Sequence, residues 1–226
     1  MRYTATVTRV EEVLTPTGTA RLHLDGSAPG GGTPHGLLVL GHGAGGGIEA
    51  PDLVAVAAAA RDAGWLAVRV EQPWRVAGRR VAPAPSRLDA AWVPVVTGLV
   101  GGLVGPLAGR PLVVGGRSAG ARVACRTAAV TGAAGVVCLA FPLHPPGRPE
   151  RSRLAELAGA AAAVPVLAVQ GRRDAFGGAG ELAAVAPAGV TLVAVDGDHG
   201  LAAGAAAAAP AVVAWLARVT GAGPGG

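Results

Sequence analysis

Continuous apolar runs alternate with longer segments of mixed polarity along most of this chain. Six of the runs have the length and composition of buried strands; they lie at residues 36–40, 65–70, 112–115, 136–141, 166–170 and 190–195. The intervening segments predict helices at residues 51–63, 86–104, 119–131, 150–163, 179–186 and 205–219. This alternation of strand and helix predicts an α/β fold, in which a mostly parallel, twisted sheet is covered by helices on both faces.

A different pattern precedes the first run. Residues 3–14 and 19–24 alternate polar and apolar positions around the turn at 15–18, which predicts an antiparallel N-terminal hairpin. A connector rich in Gly and Pro follows at 27–34. With 226 residues, the chain has the size of one domain, 1–226, and we expect the glycine-rich tail at 221–226 to be frayed.

Composition and charge exclude several classes of protein. The net charge is +5, but the arginines are scattered and aromatic residues make up only 3%, so no basic stripe predicts nucleic-acid binding. Two uncharged stretches at 90–109 and 200–217 are diluted by Ala, Gly and Pro, which favours buried helices over membrane spans. The N-terminus lacks the apolar core of a signal peptide, so a cytoplasmic protein is expected.

No cofactor or metal is predicted. Cys125 and Cys138 lack metal-site and redox-motif spacing, and each lies in an apolar element, as expected of buried reduced thiols. The histidines and carboxylates are not clustered in the way that a zinc site requires.

The segment most indicative of catalysis is Gly116-Arg117-Ser118-Ala119-Gly120. It lies directly after the strand predicted at 112–115 and at the start of a predicted helix. A serine between small residues in a sharp strand-to-helix turn is typical of a nucleophile elbow, because the turn presents the hydroxyl and leaves little room for side chains beside it. In a chain with 37 glycines the pentapeptide alone is a weak signal. Its position between strand and helix makes Ser118 the candidate nucleophile.

A serine nucleophile needs a histidine base and an acid that orients the histidine. His199 follows the last predicted strand, and Asp174 follows the strand at 166–170, so the chain order is Ser118, Asp174, His199. This order is expected of α/β hydrolases. Asp196 and Asp198 are competing acids, and His42 and His144, which also follow strands, are competing histidines.

Attack on a carbonyl group requires two backbone N–H donors for the oxyanion. We assign one to Ala119, which follows the nucleophile at a helix N-terminus, and the other to Ala44 in the glycine-rich loop after the first parallel strand. That loop lacks the lysine of a phosphate-binding loop, since the chain contains no lysine, and it does not match the glycine spacing of a dinucleotide site. His42, His144 and Arg117 are candidates to line the site; for His144, a rigid loop with a satisfied ring is the alternative.

The segments 40–45, 115–122 and 141–150 together resemble the α/β-hydrolase superfamily, and within it a branch related to dienelactone hydrolases that includes testis-expressed protein 30-like and NSL complex subunit 3-like proteins. The resemblance covers nearly all of the chain from residue 36 and implies the α/β-hydrolase fold, with triad roles for Ser118, Asp174 and His199. The interval 142–164, where many hydrolases insert a cap domain, has room for about one helix, so no cap is expected.

These observations predict a serine hydrolase that cleaves a small carboxylic ester, with a thioester or an amide as further substrates, through an acyl-enzyme. An open, capless site favours small, accessible acyl groups. Two alternatives stay open: a non-catalytic interaction module with the hydrolase fold, and an acyltransferase that uses the same triad. A homodimer is compatible with the sequence, since a second copy can supply a lid.

Overall fold

The computed structural model describes residues 9–25, 33–103 and 109–219. The predicted first residues of the hairpin, most of the connector and the tail at 221–226 lie outside the described residues.

Eight strands form one sheet within these ranges: β1 Arg9–Thr15, β2 Gly18–Asp25, β3 Leu37–Gly41, β4 Leu66–Glu71, β5 Leu112–Arg117, β6 Gly135–Leu139, β7 Val166–Gly171 and β8 Val190–Val195. The helices of the described chain are α1 Pro51–Asp62, α2 Pro73–Val76, α3 Pro85–Gly98, α4 Ala119–Thr131, α5 Leu154–Ala163, α6 Ala179–Val185 and α7 Ala205–Val219, and α3 continues into a π-helical turn at Leu99–Leu103.

The strand order is β1-β2-β4-β3-β5-β6-β7-β8, with β1 and β2 antiparallel to their neighbours and all other pairs parallel. This arrangement confirms the predicted fold, including the antiparallel hairpin. Between β6 and β7 the chain forms only one helix, α5, so the prediction of no cap domain is also confirmed.

The core has two layers because the central strands are buried on both faces. Alternate residues of each strand point to opposite faces. Leu37 and Val39 of β3 belong to the core layer that also contains apolar residues of α3, α4, α5 and α6, whereas Leu38 and Leu40 belong to the layer that contains those of α1 and α7. The sheet is thereby fixed between helices, and the loops at its carboxyl edge have a rigid support.

Several boundaries differ from the predictions. The strand predicted to reach residue 141 ends at Leu139, because Ala140 adopts a φ of 49°, outside the strand region. The helix predicted from residue 150 begins at Leu154. Helix α2 was not predicted, because its four residues are too few to show helical periodicity.

No helix in the part of the chain that the structure describes is long and apolar enough to span a bilayer. The uncharged stretches at 90–109 and 200–217 instead contribute to α3 and α7, whose apolar side chains pack against the sheet.

Candidate active site

The candidate residues meet where the direction of the sheet connections changes. β3 pairs with β4 on one side and with β5 on the other, so the loops after β3 and β5 diverge at the carboxyl edge. Such a crevice is the usual binding position in open parallel sheets. Gly41, which ends β3, lies beside Gly116 of β5, and this register places the glycine-rich loop next to Ser118.

Ser118 occupies a sharp turn between β5 and α4, with φ 53° and ψ −108°. A positive φ is unfavourable for a residue with a Cβ and is held only by its surroundings. Here the Ser118 N–H donates to the Leu139 carbonyl oxygen (2.9 Å), and the Ser118 carbonyl oxygen accepts from the Arg122 N–H (3.2 Å). The side chain is therefore presented at the edge of the sheet in one fixed orientation.

Close packing explains the two glycines of the elbow. A Cβ at Gly116 or at Gly120 would overlap the carbonyl oxygen of Gly41, a backbone atom that cannot move aside without shifting β3. The two glycines thus let β3, β5 and α4 approach one another closely enough to bring the loop after β3 beside Ser118.

Ser118, His199 and Asp174 form one hydrogen-bonded chain. His199 Nδ1 lies 2.9 Å and 3.0 Å from the two carboxylate oxygens of Asp174, and His199 Nε2 lies 2.8 Å from Ser118 Oγ. Because a carboxylate only accepts, Nδ1 carries the proton and Nε2 accepts from the serine hydroxyl. This is the hydrogen bonding that a general base needs in order to take a proton from a serine.

Two residues that the sequence did not indicate hold Asp174. The Gln170 side-chain amide donates to Asp174 Oδ2 (3.0 Å), and the Phe176 N–H donates to Oδ1 (2.8 Å). The Phe176 ring also stacks on the His199 imidazole, with centroids 4.0 Å apart. Asp174 is buried, so these contacts fix both the carboxylate and the ring that it orients.

Ala44 and Ala119, the latter directly after Ser118 in the chain, line the same small cavity. Within the described ranges, neither N–H donates to another group of the protein. Ala119 is the first residue of α4, where helical geometry leaves the N–H without a partner and the helix dipole favours negative charge. The structure thus brings the two predicted donors together on one cavity.

His42 also lines this cavity, and its ring braces the loop that carries Ala44. The Gln72 N–H donates to His42 Nε2 (3.1 Å), so Nδ1 carries the proton and donates to the Gly43 carbonyl oxygen (2.8 Å). Burial lowers the pKa of His42. His42 therefore stays neutral and links the loop after β3 to the end of β4.

Arg117, within the elbow, contacts two other parts of the chain, the His199 loop and helix α1. Its Nη2 donates to the His199 carbonyl oxygen (2.9 Å), and its Nε lies 3.2 Å from the carboxylate of Asp52 in the first turn of α1. Asp52 is fully buried, and this burial raises its pKa, while Arg117 opposes the shift. Arg117 is therefore placed to position the His199 loop, and Asp52, which the sequence did not single out, fixes Arg117.

His144 lies in the loop after β6, next to the loop that carries Asp174, since the His144 N–H donates to the Phe176 carbonyl oxygen (3.1 Å). Its two ring nitrogens face acceptors, the Pro145 carbonyl oxygen (2.8 Å) and the Glu181 carboxylate (2.7 Å). The Pro145 carbonyl and then Glu181 raise the pKa of His144. The ring is thus satisfied within a rigid loop, and neither of its polar contacts reaches Ser118 or His199.

Cys125 and Cys138 are buried free thiols whose sulfur atoms lie 3.5 Å apart, on α4 and β6. Among the residues described, no group of three or more His, Cys, Asp or Glu side chains is arranged to hold a metal ion.

Sequence comparison identifies a family. Residues 34–209 match the model of a family described as an alpha/beta hydrolase domain. No curated protein matches the chain.

Solved structures with the same fold include an alpha-beta serine hydrolase homologue from Coxiella burnetii, with a TM-score of 0.74 and 15% identity over 94% of this chain and 99% of that one. A second is XC6422 from Xanthomonas campestris, described as an a/b serine hydrolase without lid, with a TM-score of 0.68 and 18% identity over 93% of this chain and 92% of that one. A third is Est1E from Butyrivibrio proteoclasticus, with a TM-score of 0.70 and 15% identity over 93% of this chain and 98% of that one. At these identities the likeness establishes the fold alone.

Proposed function

The chain belongs to the alpha/beta hydrolase family, and from that premise we propose that it is a serine hydrolase that cleaves a small carboxylic ester through an acyl-enzyme intermediate. The observation that carries the proposal is the hydrogen-bonded chain from Ser118 Oγ through His199 to the buried Asp174 carboxylate. The names of its structural neighbours, which include serine hydrolases and an esterase domain, are consistent with it.

In the proposed first step, Ser118 Oγ forms a bond to the ester carbonyl carbon while its proton moves to His199 Nε2. The carbonyl electron pair moves onto oxygen, and the N–H groups of Ala44 and Ala119 stabilise the resulting oxyanion. The carbon–oxygen bond to the alcohol then breaks, and the leaving alcohol takes the proton from His199.

Water completes the cycle. It attacks the acyl carbon, gives a proton to His199 Nε2, and releases the carboxylic acid as the proton returns to Ser118 Oγ. Throughout, the Asp174 carboxylate keeps the ring in the tautomer with its proton on Nδ1 and stabilises the imidazolium.

The segments 115–122 and 141–150 support a finer assignment, that the chain lies in the branch related to dienelactone hydrolases. The proline-rich loop after β6, which carries the second of these segments, then has a structural role, because His144 in this loop contacts Glu181 of α6.

The test is a panel of p-nitrophenyl esters from acetate to octanoate, run on the wild type, Ser118→Ala and Ser152→Ala. We expect turnover by the wild type, a loss of at least about 10³-fold in Ser118→Ala, and no change in Ser152→Ala, because Ser152 is an exposed serine outside the site. A folded wild type that hydrolyses none of the esters, or turnover that survives in Ser118→Ala, would contradict the proposal. The first result would favour a non-catalytic interaction module.

A further inference from the structure

Trp74 of α2 forms part of the wall of two cavities that differ greatly in size. The smaller one, which Ala44 and Ala119 line, has a free volume of about 10 Å³. The larger one is a cleft of about 410 Å³ between α2 and the turn that joins β1 to β2. Gln72 also lines both cavities, so residues 72 and 74 form walls that the cleft and the smaller cavity share.

The smaller cavity lies on the side of the site where an acyl group belongs. In the acyl-enzyme, the carbonyl oxygen points to the N–H groups of Ala44 and Ala119, and the leaving alcohol departs beside His199 Nε2, which protonates it. The remaining substituent of the carbonyl carbon, the acyl chain, must then point away from His199. The cavity meets this requirement, since within the described part of the chain neither the Asp174 loop nor the His199 loop lines it.

Apolar side chains form much of the wall of this cavity. Trp74, Leu88 and Val123 line it together with Ala82. Its free volume is about that of one water-sized group, so an acetyl group, whose chain is a single methyl, is the acyl group that fits it best. A longer chain would have to displace the indole of Trp74.

Assuming the proposed function, we infer that Trp74 sets the acyl-chain limit of this enzyme and restricts it to acetyl esters. Removal of the indole joins the small cavity to the cleft, where several more carbon atoms fit. Trp74 is 6% exposed, and its Nε1 has no hydrogen-bond partner within the described ranges. Its position is therefore fixed by packing, including a tilted contact with the His42 ring at 5.5 Å, and its truncation breaks no hydrogen bond of the indole.

The experiment compares kcat/KM for p-nitrophenyl acetate, butyrate and octanoate in the wild type, Trp74→Ala, Leu88→Ala and Val76→Ala. We expect the wild type to prefer acetate. Trp74→Ala should raise the octanoate-to-acetate ratio of kcat/KM by about tenfold or more, because contacts with one to a few methylene groups change substrate discrimination by that much. Leu88→Ala widens the small cavity without opening it to the cleft, so it should raise the butyrate-to-acetate ratio. Val76→Ala is the matched control, because Val76 lines the cleft but not the small cavity, and it should leave both ratios unchanged.

The outcomes separate this inference from the proposed function. Turnover that depends on Ser118 but shows equal rates for acetate and octanoate in the wild type would overturn the inference alone. The same holds if Trp74→Ala and Leu88→Ala fold, as judged by circular dichroism, and leave both ratios unchanged. If Trp74→Ala does not fold, the butyrate-to-acetate ratio of Leu88→Ala is the test, and an unchanged ratio would overturn the inference. No turnover dependent on Ser118 with any ester would overturn the proposed function and, with it, this inference.

Discussion

Ser118 combines an unfavourable backbone conformation with a direct hydrogen bond to His199. The sequence could predict this residue because the elbow leaves a local pattern of small residues between a strand and a helix. Asp174 and His199 could be predicted because both follow strands. Gln170 and Phe176 could not, since they act by contacting Asp174 in the folded molecule, and no local pattern marks such contacts.

Arg117 is expected to position the His199 loop. We predict that Arg117→Met lowers kcat by about 10- to 100-fold, because a small displacement of a catalytic group has an effect of that size, and that KM changes less. The change also leaves the buried Asp52 carboxylate unpaired, which should lower the free energy of unfolding by about 3–5 kcal/mol. Steady-state kinetics and urea unfolding measure the two effects.

The double variant Asp52→Asn with Arg117→Met separates positioning from stability. It should regain much of the lost unfolding free energy, since no buried charge remains, but kcat should stay low. Recovery of kcat in the double variant would show that Arg117 has only a structural role.

At the scale of elements, the site depends on the close approach of β3, β5 and α4. The apolar runs located the two strands correctly, because strands buried on both faces are apolar throughout. The sequence could not show that Gly41 and Gly120 lie in contact, nor that Ala140 ends β6 with a positive φ, because both follow from how the strands and helices pack.

Gly120→Ala is predicted to lower the free energy of unfolding by at least about 2 kcal/mol, because its Cβ would overlap the Gly41 carbonyl oxygen and force β3 and α4 apart. Gly159→Ala is the matched control. Gly159 lies in α5 with open space around it, so alanine there should stabilise the protein by about 0.5–1 kcal/mol. Urea unfolding measures both, and equal effects in the two variants would contradict the packing argument.

The contact between His144 and Glu181 should make stability depend on pH. The pKa of His144 is raised in the folded protein from its ordinary value of 6.5, so its stabilising contribution is complete below about pH 6.5. The contribution is lost as the pH rises through the higher pKa of the folded state. The free energy of unfolding of the wild type, minus that of Glu181→Gln, should therefore be larger at pH 5.5 than at pH 9. A difference that grows with pH would contradict this account.

At the scale of the whole molecule, the antiparallel hairpin is tied to the parallel sheet by a buried ion pair. Arg69 of β4 donates to both carboxylate oxygens of Asp25 in β2 (2.7 and 2.8 Å) and to the Ile48 carbonyl oxygen (2.7 Å). The Arg69 side chain is 0% exposed. One guanidinium thus joins the hairpin to the chain that follows the glycine-rich loop after β3, which supports our proposal that residues 1–226 form a single domain.

If the hairpin and the parallel sheet form one cooperative unit, they should unfold together. We predict that Arg69→Met lowers the free energy of unfolding by about 3–5 kcal/mol, because the Asp25 carboxylate is left buried and unpaired. Tryptophan fluorescence and far-ultraviolet circular dichroism should still give coincident urea transitions. Separate transitions would indicate that the hairpin and the parallel sheet unfold independently.

The most direct test of the central claim, that His199 and Asp174 activate Ser118 as a nucleophile, is labelling with a fluorophosphonate probe followed by mass spectrometry. We predict one modified residue, Ser118, in the wild type, no labelling of Ser118→Ala, and labelling at least about 100-fold slower in His199→Gln, which removes the general base. Ser152→Ala should be labelled at the rate of the wild type. A folded wild type that remains unmodified, or one modified at another serine, would contradict the claim.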